Sequence, residues 1–142
     1  MRKFGAGLAA VLAVSLGVPG VAGAEPDEEG HYYGVIMHAF KRGGDSVVTA
    51  INYPSFEAAR AGADEKCAEE GVPQCVQVAA FRDECGAVAS VVGYRSHGGS
   101  GATIEEAEAD ARERLIGLIG HRYEHRIEIL KSICTPSDPE QD

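Results

Sequence analysis

The chain has 142 residues, and 22 acidic against 13 basic side chains give it a formal net charge of −9. A chain this acidic is repelled by phosphates, which argues against nucleic acid or an anionic membrane surface as a partner. Its length suits one small domain.

The first elements in chain order concern export. Arg2 and Lys3 are followed by the apolar run Leu8–Val18, a break at Pro19-Gly20, and small residues at Ala22 and Ala24. This is the layout of a secretory signal peptide over residues 1–24. The run falls short of the ~20 apolar residues that a membrane span needs, and no second apolar stretch follows, so no membrane anchor is expected after cleavage. Residues 25–31 read as a flexible acidic leader. The mature part, of about 118 residues, carries a net charge of about −11 without Arg2 and Lys3.

Tyr33-Gly34-Val35-Ile36 opens a first strand, Gly43-Gly44-Asp45 turns the chain, and Val47-Val48-Thr49-Ala50-Ile51 returns it as a hairpin. Ser55 then caps an alanine-rich helix, with Glu57 in its first turn, where the helix dipole favours negative charge. Val76-Gln77-Val78-Ala79-Ala80-Phe81 alternates as a half-buried strand. Arg82-Asp83-Glu84 turns into a strand from Cys85 to Val92. Ser96-His97-Gly98-Gly99-Ser100-Gly101 reads as a glycine-rich loop before Thr103, which caps a second helix with Glu105 in its first turn. Residues 114–126 fit either a longer helix or a break at Gly117 and Gly120. Arg126–Cys134 reads as the last strand, and residues 135–142 have the composition of a disordered tail.

The segment Ser55–Glu65 aligns with Thr103–Glu113, each running hydroxyl, apolar, Glu, then alanines at matching places, and Tyr33-Gly34-Val35-Ile36 resembles Cys85-Gly86-Ala87-Val88. The chain therefore reads as an internal repeat of order ββαββαβ over residues 32–134. The expected fold is α+β, one mainly antiparallel sheet with both helices on one face.

All four cysteines, Cys67, Cys75, Cys85 and Cys134, lie after the export signal. An even count in a small exported domain reads as two disulfides, with three pairings open. Local geometry favours Cys67 with Cys75, across the turn Glu69–Gln74, leaving Cys85 for Cys134. The spacings are not those of a zinc ribbon or finger.

Several features in order carry a resemblance. Asn52-Tyr53-Pro54-Ser55 leads into the first helix, Cys67 and Cys75 bracket a turn, and Phe81 precedes Cys85-Gly86-Ala87-Val88-Ala89. Gly98-Gly99-Ser100-Gly101 then leads to the second helix, and Cys134 closes the set. This set resembles the exported bacterial domain of unknown function 4189, most closely its actinobacterial type. The resemblance implies secretion and paired cysteines, and it implies no activity. The chain departs from the family pattern in lacking a tryptophan before the last cysteine and in the longer, more charged stretch His121–Arg126.

Candidate chemistry is sparse. His121-Arg122-Tyr123-Glu124-His125 matches the H-x-x-E-H pattern of inverted zinc peptidases, in which two histidines on one helical face hold zinc. Such enzymes are large and take a third ligand from a separate helix, so a charged surface segment is the better reading. The glycine-rich loop has no P-loop lysine to support anion binding, and Ala102 stands where a nucleophile elbow needs glycine. No cofactor or metal is expected, and the cysteines are committed to disulfides rather than to thiolate chemistry. Tyr94, Arg95 and His97 are the candidate contact residues.

The sequence thus points to a secreted, non-enzymatic binding module of the cell envelope or extracellular space, with a protein or envelope component as partner. The alternative is a small exported hydrolase or metal-dependent enzyme using His121 and His125, or His97.

Overall fold

The computed structural model describes residues 25–137, so the export signal expected at residues 1–24 and the last five residues lie outside it. Six strands and two helices follow in order: β1 (Tyr33–Lys41), β2 (Gly44–Tyr53), α1 (Phe56–Glu69), β3 (Val76–Arg82), β4 (Cys85–Val91), β5 (Arg95–Gly101), α2 (Ile104–Ile119) and β6 (Glu128–Cys134). A short 3-10 helix, His121–Arg126, joins α2 to β6.

The strands form two antiparallel three-stranded sheets, β2-β1-β3 and β5-β4-β6. Each half of the chain has the same order, ββαβ, and in each half the first strand sits at the centre of its sheet. Two sheets replace the expected single sheet because the central strands are apolar on both faces. In β4 all seven residues are buried. Such strands need cover on both sides.

Three clusters supply that cover. Val35, Met37, Val48 and Ala50 on one face of the first sheet meet Ala59, Ala63 and Cys67 of α1. Ala87, Ala89 and Val91 of the second sheet meet Ala107, Ala111 and Leu115 of α2. The opposite faces meet each other through Ile36, Ile51, Ala79, Phe81, Val88 and Ile133. The layers therefore run helix, sheet, sheet, helix, with the helices on opposite outer faces rather than together on one.

The order also gains a strand. Arg-Ser-His-Gly-Gly-Ser-Gly is β5, paired residue by residue with β4 from Val91↔Arg95 to Cys85↔Gly101. Its glycines serve close approach, not looping. A Cβ at Gly98 would stand 2.0 Å from the Val78 carbonyl oxygen, and one at Gly99 would stand 2.2 Å from the Ala111 nitrogen. Glycine thus lets β3 and α2 close over both faces of the strand.

Both helices begin as the hydroxyl residues direct. Ser55 Oγ accepts the Ala58 N–H at 3.0 Å, and Thr103 Oγ1 accepts the Glu106 N–H at 3.2 Å. α2 runs through Gly117 and ends at Gly120, whose φ of 77° only glycine adopts without strain. β6 starts at Glu128, two residues after the position expected from the sequence.

Disulfides join Cys67 to Cys75 and Cys85 to Cys134. The first ties the C-terminal end of α1 to the segment entering β3. The second joins directly paired residues of β4 and β6.

Both flanks of the domain are held. Asp27 Oδ1 accepts the N–H groups of Glu29 and His31, and Tyr33 donates its hydroxyl to Oδ2 at 2.9 Å. Residues 135–137, grouped by composition with the tail, are gripped by Asn52. Its Nδ2 donates to the Ser137 carbonyl at 2.8 Å, and its Oδ1 accepts from the Ser137 N–H at 3.1 Å.

Candidate functional site

The turn between β4 and β5 carries Tyr94, and Arg95 opens β5. The Tyr94 N–H returns to the Val91 carbonyl at 2.9 Å and closes the turn, leaving the Tyr94 side chain half exposed. Its ring meets Tyr123 of the 3-10 helix, centroids 5.5 Å apart, and the Arg122 guanidinium stands 5.7 Å from the Tyr123 centroid. Val92 beside the turn is exposed as well. Arg95 lines a cavity of about 300 Å3 whose rim includes the exposed Phe40 and Val76. Aromatic and arginine side chains of this kind are the groups that anchor protein contacts.

His97 stands apart from this pair. It lines a smaller cavity with Asp110 and Arg114 of α2, and its Nδ1 donates to the Gly98 carbonyl at 2.7 Å. Asp110 accepts the Ser100 N–H at 3.0 Å and Arg114 Nε at 2.8 Å. Partial burial works against ionisation of Asp110, but Ser100, Arg114 and the nearby His97 outweigh it and hold its pKa below the ordinary value. This seam occupies an amide of the edge strand and fastens α2 to it.

The H-x-x-E-H segment is a 3-10 helix, so residues three apart share a face. His121 Nδ1 accordingly lies 3.0 Å from Glu124, with the His121 side chain 83% exposed, and His125 falls on another face. The histidines are not brought together as a zinc pair. Among the described residues no group of three or more His, Cys, Asp or Glu side chains could hold a metal ion.

A different polar cluster lies between the sheets. His38 of β1 and Asp45 of β2 face Ser90 of β4 and Ser96 of β5. Ser96 Oγ and His38 Nδ1 are 3.0 Å apart, and His38 Nε2 lies 3.3 Å from Asp45 Oδ2. Ser90 donates its hydroxyl to Asp45 Oδ2 at 2.9 Å, with the Arg95 carbonyl 3.2 Å away as a second acceptor. His38 and Asp45 are almost wholly buried, and His38 Nε2 has no well-aligned hydrogen-bond partner. An unmade bond of this kind in a buried place costs about 1–3 kcal/mol. Both His38 and Ser96 line the cavity that Arg95 and Phe40 share.

Sequence reading missed this cluster because it depends on register and on sheet-to-sheet packing. His38 pairs with Val47, and Asp45 pairs with Phe40, so the two polar side chains are diagonal neighbours on one face of the hairpin. The sequence assigned Asp45 to the turn Gly43-Gly44-Asp45, whereas β2 begins at Gly44, so Asp45 is a strand residue paired with Phe40.

Fold and surface define a small α+β domain of two ββαβ halves, stapled by two disulfides, with one aromatic and arginine-bearing end. The chain belongs to the family described as Domain of unknown function (DUF4189), which it matches over residues 33–134. No curated protein and no solved structure gives a match. Among the described residues no helix is long and apolar enough to cross a membrane.

Proposed function

We propose that this chain is an exported interaction module that binds a protein or an envelope component through the end of the sandwich built around Tyr94. The observation that carries this reading is the Tyr94–Tyr123 pair, with Tyr94 exposed and Tyr123 partly buried, flanked by Arg95 and Arg122 on an otherwise strongly acidic chain. Half-exposed aromatics next to guanidinium groups supply large contact area with little side-chain entropy to lose on binding. A partner with an apolar face and acceptor groups for the guanidinium groups suits this end.

Export is supported by the N-terminal pattern of residues 1–24 and by two disulfides, which persist in oxidising compartments. The test is comparative capture from the envelope and culture-medium fractions of the producing cell. Wild-type protein and a Tyr94→Ala/Arg95→Glu variant with unchanged circular dichroism serve as baits. A partner retained by wild type and lost at least ~10-fold by the variant is expected, since two contact anchors at about 1 kcal/mol or more each exceed that factor. Equal retention by both baits overturns this choice of surface.

A further inference from the structure

We propose that Ser96 is an activated nucleophile that accepts an acyl group from short-chain esters entering the cavity beside it, with His38 as its general base and Asp45 as the residue that positions His38. This adds a chemical activity to the interaction module and replaces the expectation of a domain without enzymatic chemistry. It shares Arg95 with the proposed contact surface and otherwise rests on different residues.

The geometry points this way for three reasons. First, the two ring nitrogens of His38 have different neighbours. Asp45 Oδ2, an acceptor, lies 3.3 Å from Nε2 without a well-aligned hydrogen bond, and a proton on that nitrogen leaves the Nδ1 lone pair to accept the Ser96 hydroxyl at 3.0 Å. That is the polarity a serine needs for activation. Second, Asp45 is itself held by the Ser90 hydroxyl at 2.9 Å, so the group that orients the base has its own support. Nothing in packing alone calls for it: a buried carboxylate and imidazole are costly, and apolar side chains would fill the layer between the sheets more cheaply. Third, Ser96 is accessible. It is partly exposed and lines, with His38, a cavity of about 300 Å3. Phe40, Val76 and Val78 give that cavity apolar walls for a short acyl chain, and Gln74 and Arg95, whose side chains carry N–H groups, line it as well.

The step balances with water as the second reactant. Ser96 Oγ attacks the ester carbonyl as its proton passes to His38 Nδ1. The bond to the alcohol oxygen breaks, and His38 returns the proton to the departing alkoxide. Water, deprotonated by His38 in turn, releases the carboxylic acid and restores the Ser96 hydroxyl.

The test treats the disulfide-intact chain with 4-nitrophenyl acetate and, separately, with phenylmethylsulfonyl fluoride, followed by peptide mass mapping. The expected result is one acetyl or sulfonyl adduct on Ser96. Nitrophenolate release should fall at least ~100-fold in Ser96→Ala, the lower range for a working general base and nucleophile. His38→Gln is expected to lose the label too. Ser100→Ala, on the same strand outside the cluster, is expected to keep it. Because His38→Gln removes a buried group and can unfold the domain, Ser96→Ala is the deciding variant, with its fold checked by near-ultraviolet circular dichroism. Folded wild-type protein with no adduct on Ser96, or labelling of Ser96 that persists undiminished in a folded His38→Gln variant, overturns the proposal.

Discussion

Phe81 occupies the point where the two halves of the chain meet, its ring lying between Gly34 and Gly86. A Cβ on either glycine would come within 2.6 Å or less of the ring. These glycines hold the same place in β1 and β4, the second residue of each central strand. Their likeness was visible in the sequence as Tyr33-Gly34-Val35-Ile36 against Cys85-Gly86-Ala87-Val88. Their reason was not, because it is an aromatic ring reached only when the sheets face each other. Ser55 and Thr103 were legible as caps for the opposite reason: their partners are three residues away. At this scale Asp110 supplies a pH dependence. Its folded pKa lies below that of the unfolded chain, held there by Ser100 and Arg114 against the effect of burial. Its contribution to stability is therefore present above the unfolded value of ~3.9 and is lost as pH falls through the lower folded value. Thermal melts from pH 6 downward should show wild type losing more stability below pH ~4 than Asp110→Asn, which lacks the titrating group. Identical acid slopes for the two proteins would remove Asp110 from the account.

At the scale of elements, β5 shows where composition misleads. Three glycines in seven residues read as a loop, yet each non-loop property of β5 comes from its neighbours: pairing with β4, the Val78 carbonyl against Gly98, and the α2 backbone against Gly99. Local propensity disfavours glycine in a strand, and tertiary packing overrides it. α2 is the converse case. Gly117 suggested a break, but the helix continues through it because Leu115, fully buried on the second sheet, and the partly buried Ile116 and Ile119 hold this turn in place. The two glycines should respond to substitution with opposite sign. Gly99→Ala forces α2 off the sheet and should lower stability by ~1–3 kcal/mol, the usual cost of overpacking. Gly117→Ala meets nothing within 4 Å and should raise it by ~0.5–1 kcal/mol through helix propensity. Urea unfolding of both variants reads the difference. A Gly99→Ala protein as stable as wild type would mean that β5 and α2 are not in this contact.

For the whole molecule, the even cysteine count and the turn after α1 made the staples legible, whereas the pairing of two sheets was not. The sequence shows which strands are apolar, but whether two apolar faces meet each other or a helix depends on how the halves dock. The staples themselves differ between halves. Cys67 of α1 is bonded to Cys75, and the corresponding place in α2 is Leu115; Cys85 is bonded to Cys134, and the corresponding pair in the first sheet is Tyr33 and Arg82. On loop length, the shorter bridge contributes about 2.6 kcal/mol and the longer about 4. Those are large shares of the ~5–15 kcal/mol typical of a domain. This rigid body presents Tyr94, Tyr123 and their arginines at one end, far from the outer face of α1 in the layer order. The most direct test of the interaction-module reading is site-specific photo-crosslinking in the producing cell, with the photoreactive residue placed at Tyr94 in one protein and at Glu65, on the exposed side of α1, in another. The account predicts a discrete crosslinked species from position 94 that is absent from position 65. The same species from both positions, or none from position 94 in folded, exported protein, would contradict it.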